Sequence, residues 1–357
     1  MHLGGRANAE VLLSLTGSLV LVLVSFFSAM SNPLVTLAVG VAVFALFFLL
    51  SRRLDPAASS GWFYMFHLFA FTANLDLVLA LRFGASLYCV IHGVGSWLLT
   101  FSSPLQSIAG FVPFADFYLN DAEPYFRTGH GLAINLWDAT YHWALLLLLL
   151  QLQTPFQSST LGALWAGSTL NSMPVFLIAG TQGAPFSGQW SPAILLNVPY
   201  VLAPLVYLIR LQQAHKERNT VAWDRRAYWL VVVAVALHLY RFLHAWEILD
   251  HYNYESSYLE SSVLFAAIQT AVFTVWAAMV LFSGHNSVDV TIVYAWIGAT
   301  LQGQFAYIVG SLYHPARYTL PDKSFLPVDF HSFHVFAAVN LVIVALPLAV
   351  LALQQRK

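Results

Sequence analysis

The sequence predicts an all-α, polytopic membrane protein of about ten transmembrane helices: two N-terminal helices, then two parallel copies of a four-helix unit. Three observations predict this. Of 357 residues, 59% are hydrophobic and only 9% charged, where a soluble domain carries about 25% charged residues. Apolar runs of about 20 residues, long enough to cross a bilayer as a helix, recur down the whole chain. Matched polar positions also recur in the same order in two halves of the chain. The short alternating segments of a β-barrel are absent. A net charge of -1 leaves no basic footprint for nucleic acid. The single cysteine, Cys89, excludes an intramolecular disulfide framework and any cysteine-based metal cluster.

Candidate spans fall at residues 11–30, 33–50, 62–83, 129–152, 158–180, 190–211, 227–246, 259–282, 290–311 and 331–353. The first follows Arg6, but its run from Val11 to Met30 exceeds the apolar core of a signal peptide, so it reads as a retained helix. The second ends at Arg52 and Arg53. Counting ten spans puts those two, Arg6, the basic loop from Arg210 to Arg226, Arg356 and Lys357 on one side. Arg82, Arg127, Arg317 and Lys323 fall on the other, so both termini are expected in the cytoplasm. Residues 85–101 are apolar enough for an eleventh span, yet a full crossing would move the basic loop to the wrong side. Gly93 and Gly95 also weaken a helix there, and a re-entrant or interfacial segment fits better.

The repeat is visible where LWAGSTLN at 164–171 matches AWIGATLQ at 295–302, pairing Trp165 with Trp296, Gly167 with Gly298 and Asn171 with Gln302. Asn197 precedes Pro204, and Asn340 precedes Pro347, by the same interval. Glu123 corresponds to Glu255, and Asp76 to Arg241. Four spans per copy is an even number, so the copies share one orientation, unlike the inverted repeats of many transporters. The expected organisation is an N-terminal segment over 1–58, a first unit over 59–212 with an insertion at 84–109, a basic linker over 213–226, and a second unit over 227–353.

Ionisable groups at bilayer depth are costly and usually face the bundle interior. Asp76 sits mid-helix, and Asp138 is followed one turn on by His142. Positions four apart on an α-helix lie about 40° apart, so this pair can share a face. A carboxylate beside an imidazole suits proton transfer. The same residues also fit a purely structural role, and Arg241 fits one best, as a partner of Asp76. Gln269, Gln302 and Asn340 read as structural polar groups inside helices, able to hydrogen-bond between them. Trp137 and Trp165 lie within spans, where they suit the wall of an apolar pocket. The histidines lack metal-ligand spacing, and there is no nucleophile elbow, phosphate loop or dinucleotide fingerprint, so no metal or cofactor is expected.

The stretches DAEPYFRTGHGLAINLWDATYHWALL, FAFTANLDLVLAL and GATLQGQFAYIVGSLYH resemble the transmembrane 6 superfamily over roughly residues 60–353. Those proteins carry two EXPERA domains, shared with emopamil-binding protein (the sterol Δ8–Δ7 isomerase) and the sigma-2 receptor. The resemblance implies an endoplasmic-reticulum or endolysosomal membrane protein tied to sterol handling, triglyceride secretion and lipid-droplet content. By motif, Asp138 matches the acid of the second domain helix, and Asp76 falls near that of the first. Asn197, Tyr200 and Pro204 match the asparagine, aromatic and proline of the last. Glu123 and His130 lie in the most specific motif and join the ligand-binding set. The isomerase's first-helix histidine has no counterpart, since Thr72, Ala73 and Asn74 occupy that stretch, and Tyr200 stands in place of its tryptophan.

Three functions follow from this. The first is binding of a sterol or other lipid that regulates lipid handling without turnover. The second is sterol isomerisation by Asp138, Asp76 and His142, and the third is lipid transport or scrambling. The missing histidine favours the first over the second, and the parallel repeat weighs against the third.

Overall fold

The computed structural model of the chain describes residues 4–27, 33–84, 129–182, 192–243, 259–283, 287–312 and 330–355. Helices stand at all ten predicted positions. They are α1 Gly4–Phe27, α2 Pro33–Leu54, α3 Trp62–Gly84, then α4 Gly129–Trp137 and α5 Trp143–Leu150 made continuous by a π turn over Asp138–His142. After them come α6 Ser159–Gln182, α7 Val198–Asn219, α8 Arg225–Leu243, α9 Leu259–Leu281, α10 Val290–Leu312 and α11 Phe330–Gln354. Six of these segments are long and apolar enough to cross a membrane. The segment 85–101 lies outside the described residues.

The ends of the helices are set by local chemistry. Pro33 opens α2, where its missing N–H costs nothing, and Arg52 and Arg53 close it against the negative end of the helix dipole. Asp224 caps α8, its Oδ1 accepting from the amides of Arg226 at 2.8 Å and Ala227 at 3.3 Å. Asp289 does the same for α10 through the Thr291 amide at 2.8 Å. On α1, Val11, Leu15 and Leu19 form an exposed stripe while Glu10 and Leu13 are buried. A soluble helix shows the reverse pattern, and lipid is the solvent that makes this one favourable.

One element departs from the purely helical expectation. Thr220–Ala222 pairs antiparallel with Ser287–Asp289. Both are short connectors whose backbone groups lie beyond the helical ladders, and Thr220, Val221 and Val288 are β-branched residues that suit an extended strand.

The chain divides into two compact units, Met1–Gln157 with Gln189–Pro199 and Tyr313–Phe325, and Ser158–Gly188 with Tyr200–Leu312 and Leu326–Lys357. In the first, Leu13, Val43, Phe47, Leu68 and Phe71 join α1, α2 and α3, with Phe47 and Phe71 stacked at 4.9 Å. The second is centred on the close pairing of α6 with α10. A side chain at Gly167 would run into the carbonyl of Ala295, and one at Gly298 into that of Leu164. Glycine is therefore required at both positions. Thr169 and Thr300 each donate to the carbonyl of the tryptophan one turn back, both at 3.0 Å, and Asn171 donates to Gln302 at 2.5 Å.

The strand pair brings the α7–α8 and α9–α10 connections to one end of the second unit, and Gln355 bonds the Tyr294 hydroxyl there at 3.2 Å. The segment 212–226, which closes α7 and leads through the strand Thr220–Ala222 into α8, carries the basic cluster, so it should face the cytoplasm and loop 102–128 the lumen. Glycosylation acceptor sites placed in each segment should be modified only in 102–128; modification within 212–226 would reverse the topology.

Candidate functional site

The π turn that joins α4 to α5 spans Asp138–His142. In an α-helix, residues five apart point about 140° away from each other. The wider i→i+5 turn brings them onto one face, and such turns recur at functional sites. Here the Trp137 indole N–H donates to Nε2 of His142 at 3.3 Å. That nitrogen must then carry the lone pair, so the ring proton of the neutral imidazole resides on Nδ1. Nδ1 lies 2.6 Å from Oδ1 of Asp138. Trp137 also packs on Tyr141, with ring centroids 4.2 Å apart.

The pair anticipated from spacing alone is thus in contact, and it is screened from solvent. The His142 side chain is 6% exposed and that of Asp138 18%. Oδ1 of Asp138 still accepts no well-aligned hydrogen bond among the described residues. One turn earlier Asn135 is buried, and neither of its amide atoms finds a partner among the described residues. Asn135 is a site residue that sequence reasoning missed; the signal was an amide inside an apolar helix. α3, which carries the half-buried Asp76, packs against α4, the π turn and α5.

The remaining predicted residues are distributed as follows. Asn197 is buried at the end of a 3-10 turn, Pro192–Asn197, which packs on α2 in the first unit. Tyr200 and Trp165 belong to the second unit, where Trp165 is fully buried edge-on against Tyr207 at 5.4 Å. Glu123 lies outside the described residues, and so does the side chain of His130. Gln269, Gln302 and Asn340 are buried in the second unit. Arg241, expected to seek a carboxylate, instead donates from Nη2 to Oδ1 of Asn340 at 3.1 Å, and it makes no ion pair among the described residues.

A second polar cluster in the first unit was not anticipated at all. His67 of α3 is fully buried, with Nδ1 2.5 Å from Oε2 of Glu10 and Nε2 3.3 Å from Oδ2 of Asp55. Ionised carboxylates only accept, so between two of them the ring satisfies both as an imidazolium. Arg6 adds a second cation, its Nε 3.2 Å from Asp55 and its guanidinium 3.9 Å above the Phe63 ring. Its Nη1 donates to the Leu152 carbonyl at 2.6 Å. Burial alone would raise the pKa of the Asp55 carboxyl. The His67 ring, the Arg6 charge and the Ala57 amide together outweigh burial and hold it below the usual carboxylate range. The clue was the presence of Arg6, Glu10 and His67 within otherwise apolar stretches.

Ten helical segments among the described residues, six of them long and apolar enough to cross a membrane, and many exposed apolar side chains define an integral, polytopic α-helical membrane protein. A family model described as "Transmembrane 6 superfamily member 2-like, transmembrane domain" matches residues 86–222. Transmembrane 6 superfamily member 2 from mouse is 25% identical over 360 residues, covering 91% of this chain and 88% of the relative. The human protein of that name is 30% identical over 180 residues, 50% of this chain and 41% of its own length. The rat protein is 30% identical over 205 residues, 57% of this chain and 47% of its own length. The chain is thus similar to proteins of the transmembrane 6 superfamily. No solved structure matches it.

Proposed function

We propose that this protein binds a sterol, or another lipid with a rigid apolar body and a small polar head, at the π turn of its first unit. It does so in the endoplasmic-reticulum membrane, with both termini cytoplasmic, and regulates lipid handling without turnover. The buried Trp137–His142–Asp138 arrangement carries this reading. A ligand cavity in a bilayer needs apolar walls and a few convergent polar groups. Trp137 and Tyr141 supply aromatic surface, while Oδ1 of Asp138 and the Asn135 amide retain hydrogen-bonding capacity for a single hydroxyl. The resemblance to the EXPERA proteins points to the same class of ligand.

Isomerisation is the second reading, favoured by the 2.6 Å approach of His142 to Asp138. Both readings are tested by incubating the purified protein with a Δ8 sterol and analysing the lipid by mass spectrometry. The expected result is saturable retention with no Δ7 product. Asp138→Asn should leave retention within about threefold, because the amide keeps the shape and loses only the proton shuttle. A Δ7 product that disappears in Asp138→Asn would replace regulation by catalysis. Absence of retention would end both readings.

A further inference from the structure

The second unit contains a buried polar layer that neither the π turn nor the α6–α10 pairing uses. Arg241 and His238 on α8, Gln269 on α9, Gln304 on α10 and Asn340 on α11 all lie between 12 and 16 residues from the helix ends that meet at the strand pair. At 1.5 Å per residue that is about 18–24 Å along the bundle, deep within a hydrocarbon core of about 30 Å. α8 packs on α9 and α11, and α10 packs on both as well, so the four helices surround this level.

What distinguishes the layer is unmet hydrogen-bonding capacity. His238 is fully buried between the rings of Phe273 and Trp296, and neither of its nitrogens has a partner among the described residues. Among the described residues, both amide atoms of Gln304 (1% exposed) and Oε1 of Gln269 (3% exposed) are unpartnered. Nη1 of Arg241 is buried and unpartnered as well. Groups of this kind, left without partners in lipid, are costly enough to be rare, and they mark sites where something else binds.

The charge decides what that is. Arg241 is a half-buried cation whose Nη2 bonds a neutral amide, and it pairs with no carboxylate among the described residues. A charge held inside a helical bundle without a counter-ion is costly. The free donors of Arg241 and Gln304, with an imidazole beside them, suit a compact oxyanion. The buried Phe273 and Trp296 rings make the surroundings of the imidazole apolar, which strengthens any charge–charge attraction at this level. We propose that the second unit binds an amphipathic lipid by its anionic head, a carboxylate or phosphate, with Arg241 as counter-ion and His238, Gln269 and Gln304 as hydrogen-bonding partners. This site is independent of the sterol reading of the first unit.

The test uses the full chain in phosphatidylcholine nanodiscs with three photoactivatable probes: palmitic acid, phosphatidic acid and cholesterol. At least one anionic probe should label peptides of α8–α11, and the arm that labels identifies a fatty-acid carboxylate or a phospholipid phosphate as the source. Arg241→Gln should cut that labelling tenfold or more with cholesterol labelling unchanged, while Arg241→Lys keeps most of it. Gln304→Leu guards against misfolding of the arginine variant. It removes unpartnered groups, so the melting temperature should hold or rise while anionic labelling falls severalfold. Labelling of α8–α11 by neither anionic probe, or labelling at the wild-type level in both Arg241→Gln and Gln304→Leu, would overturn the proposal.

Discussion

Replacing His67 with leucine should cost about 3–5 kcal/mol, the penalty for breaking a buried ion network by removing one partner. The wild-type cluster balances two positive groups, Arg6 and His67, against two negative ones, Glu10 and Asp55. Leucine removes the cation between the two carboxylates and leaves Glu10 buried with only the Ser14 hydroxyl, at 2.7 Å, as a donor. The melting temperature of the purified protein in detergent reads the loss directly. Adding Glu10→Leu should recover much of it, since an apolar pair costs less than a buried, unmatched carboxylate. A His67→Leu protein that melts with the wild type would show that the network is not held as ions.

Gly167→Leu should be nearly as damaging, at or beyond the upper end of the 1–3 kcal/mol, approximately, that overpacking usually costs. The obstacle is the backbone of Ala295, which cannot rotate away as a side chain does. Small residues at such crossings allow helix backbones to pack closely in lipid. The contact is reciprocal, Gly167 on Ala295 and Gly298 on Leu164, so Gly298→Leu should cost a similar amount. The double variant should cost less than the sum, because helices already forced apart have less to lose. Melting temperatures of the three variants test this. Strictly additive losses, or one glycine substituted freely, would mean that the crossing is not the reciprocal contact described.

Much of this architecture was legible before folding was considered. A run of about 20 apolar residues has one favourable state in a bilayer, because each backbone group must find its partner within the same helix. Helix positions are therefore largely local information: a helix overlaps each of the ten runs, though the one expected over 190–211 runs over Val198–Asn219 after a 3-10 turn. The proximity of Asp138 and His142 was legible for the same reason, since a four-residue spacing gives one face. The matched motif at 164–171 and 295–302 singled out the helices that pack most closely in the second unit.

What the sequence by itself determined is thus the membrane class, the helices and the residues worth suspecting. Only the tertiary structure decided which of them meet. The π turn depends on a local exchange of i→i+4 for i→i+5 bonding that leaves no mark in composition, yet it alone turns Trp137 onto His142. Glu10, Asp55 and His67 stand 57 and 12 residues apart along the chain, so no periodicity links them. Arg241 meets Asn340 across 99 residues. Helical periodicity fixes faces within a turn or two, whereas these partnerships arise from how separate helices dock, and that is set by packing along their whole length.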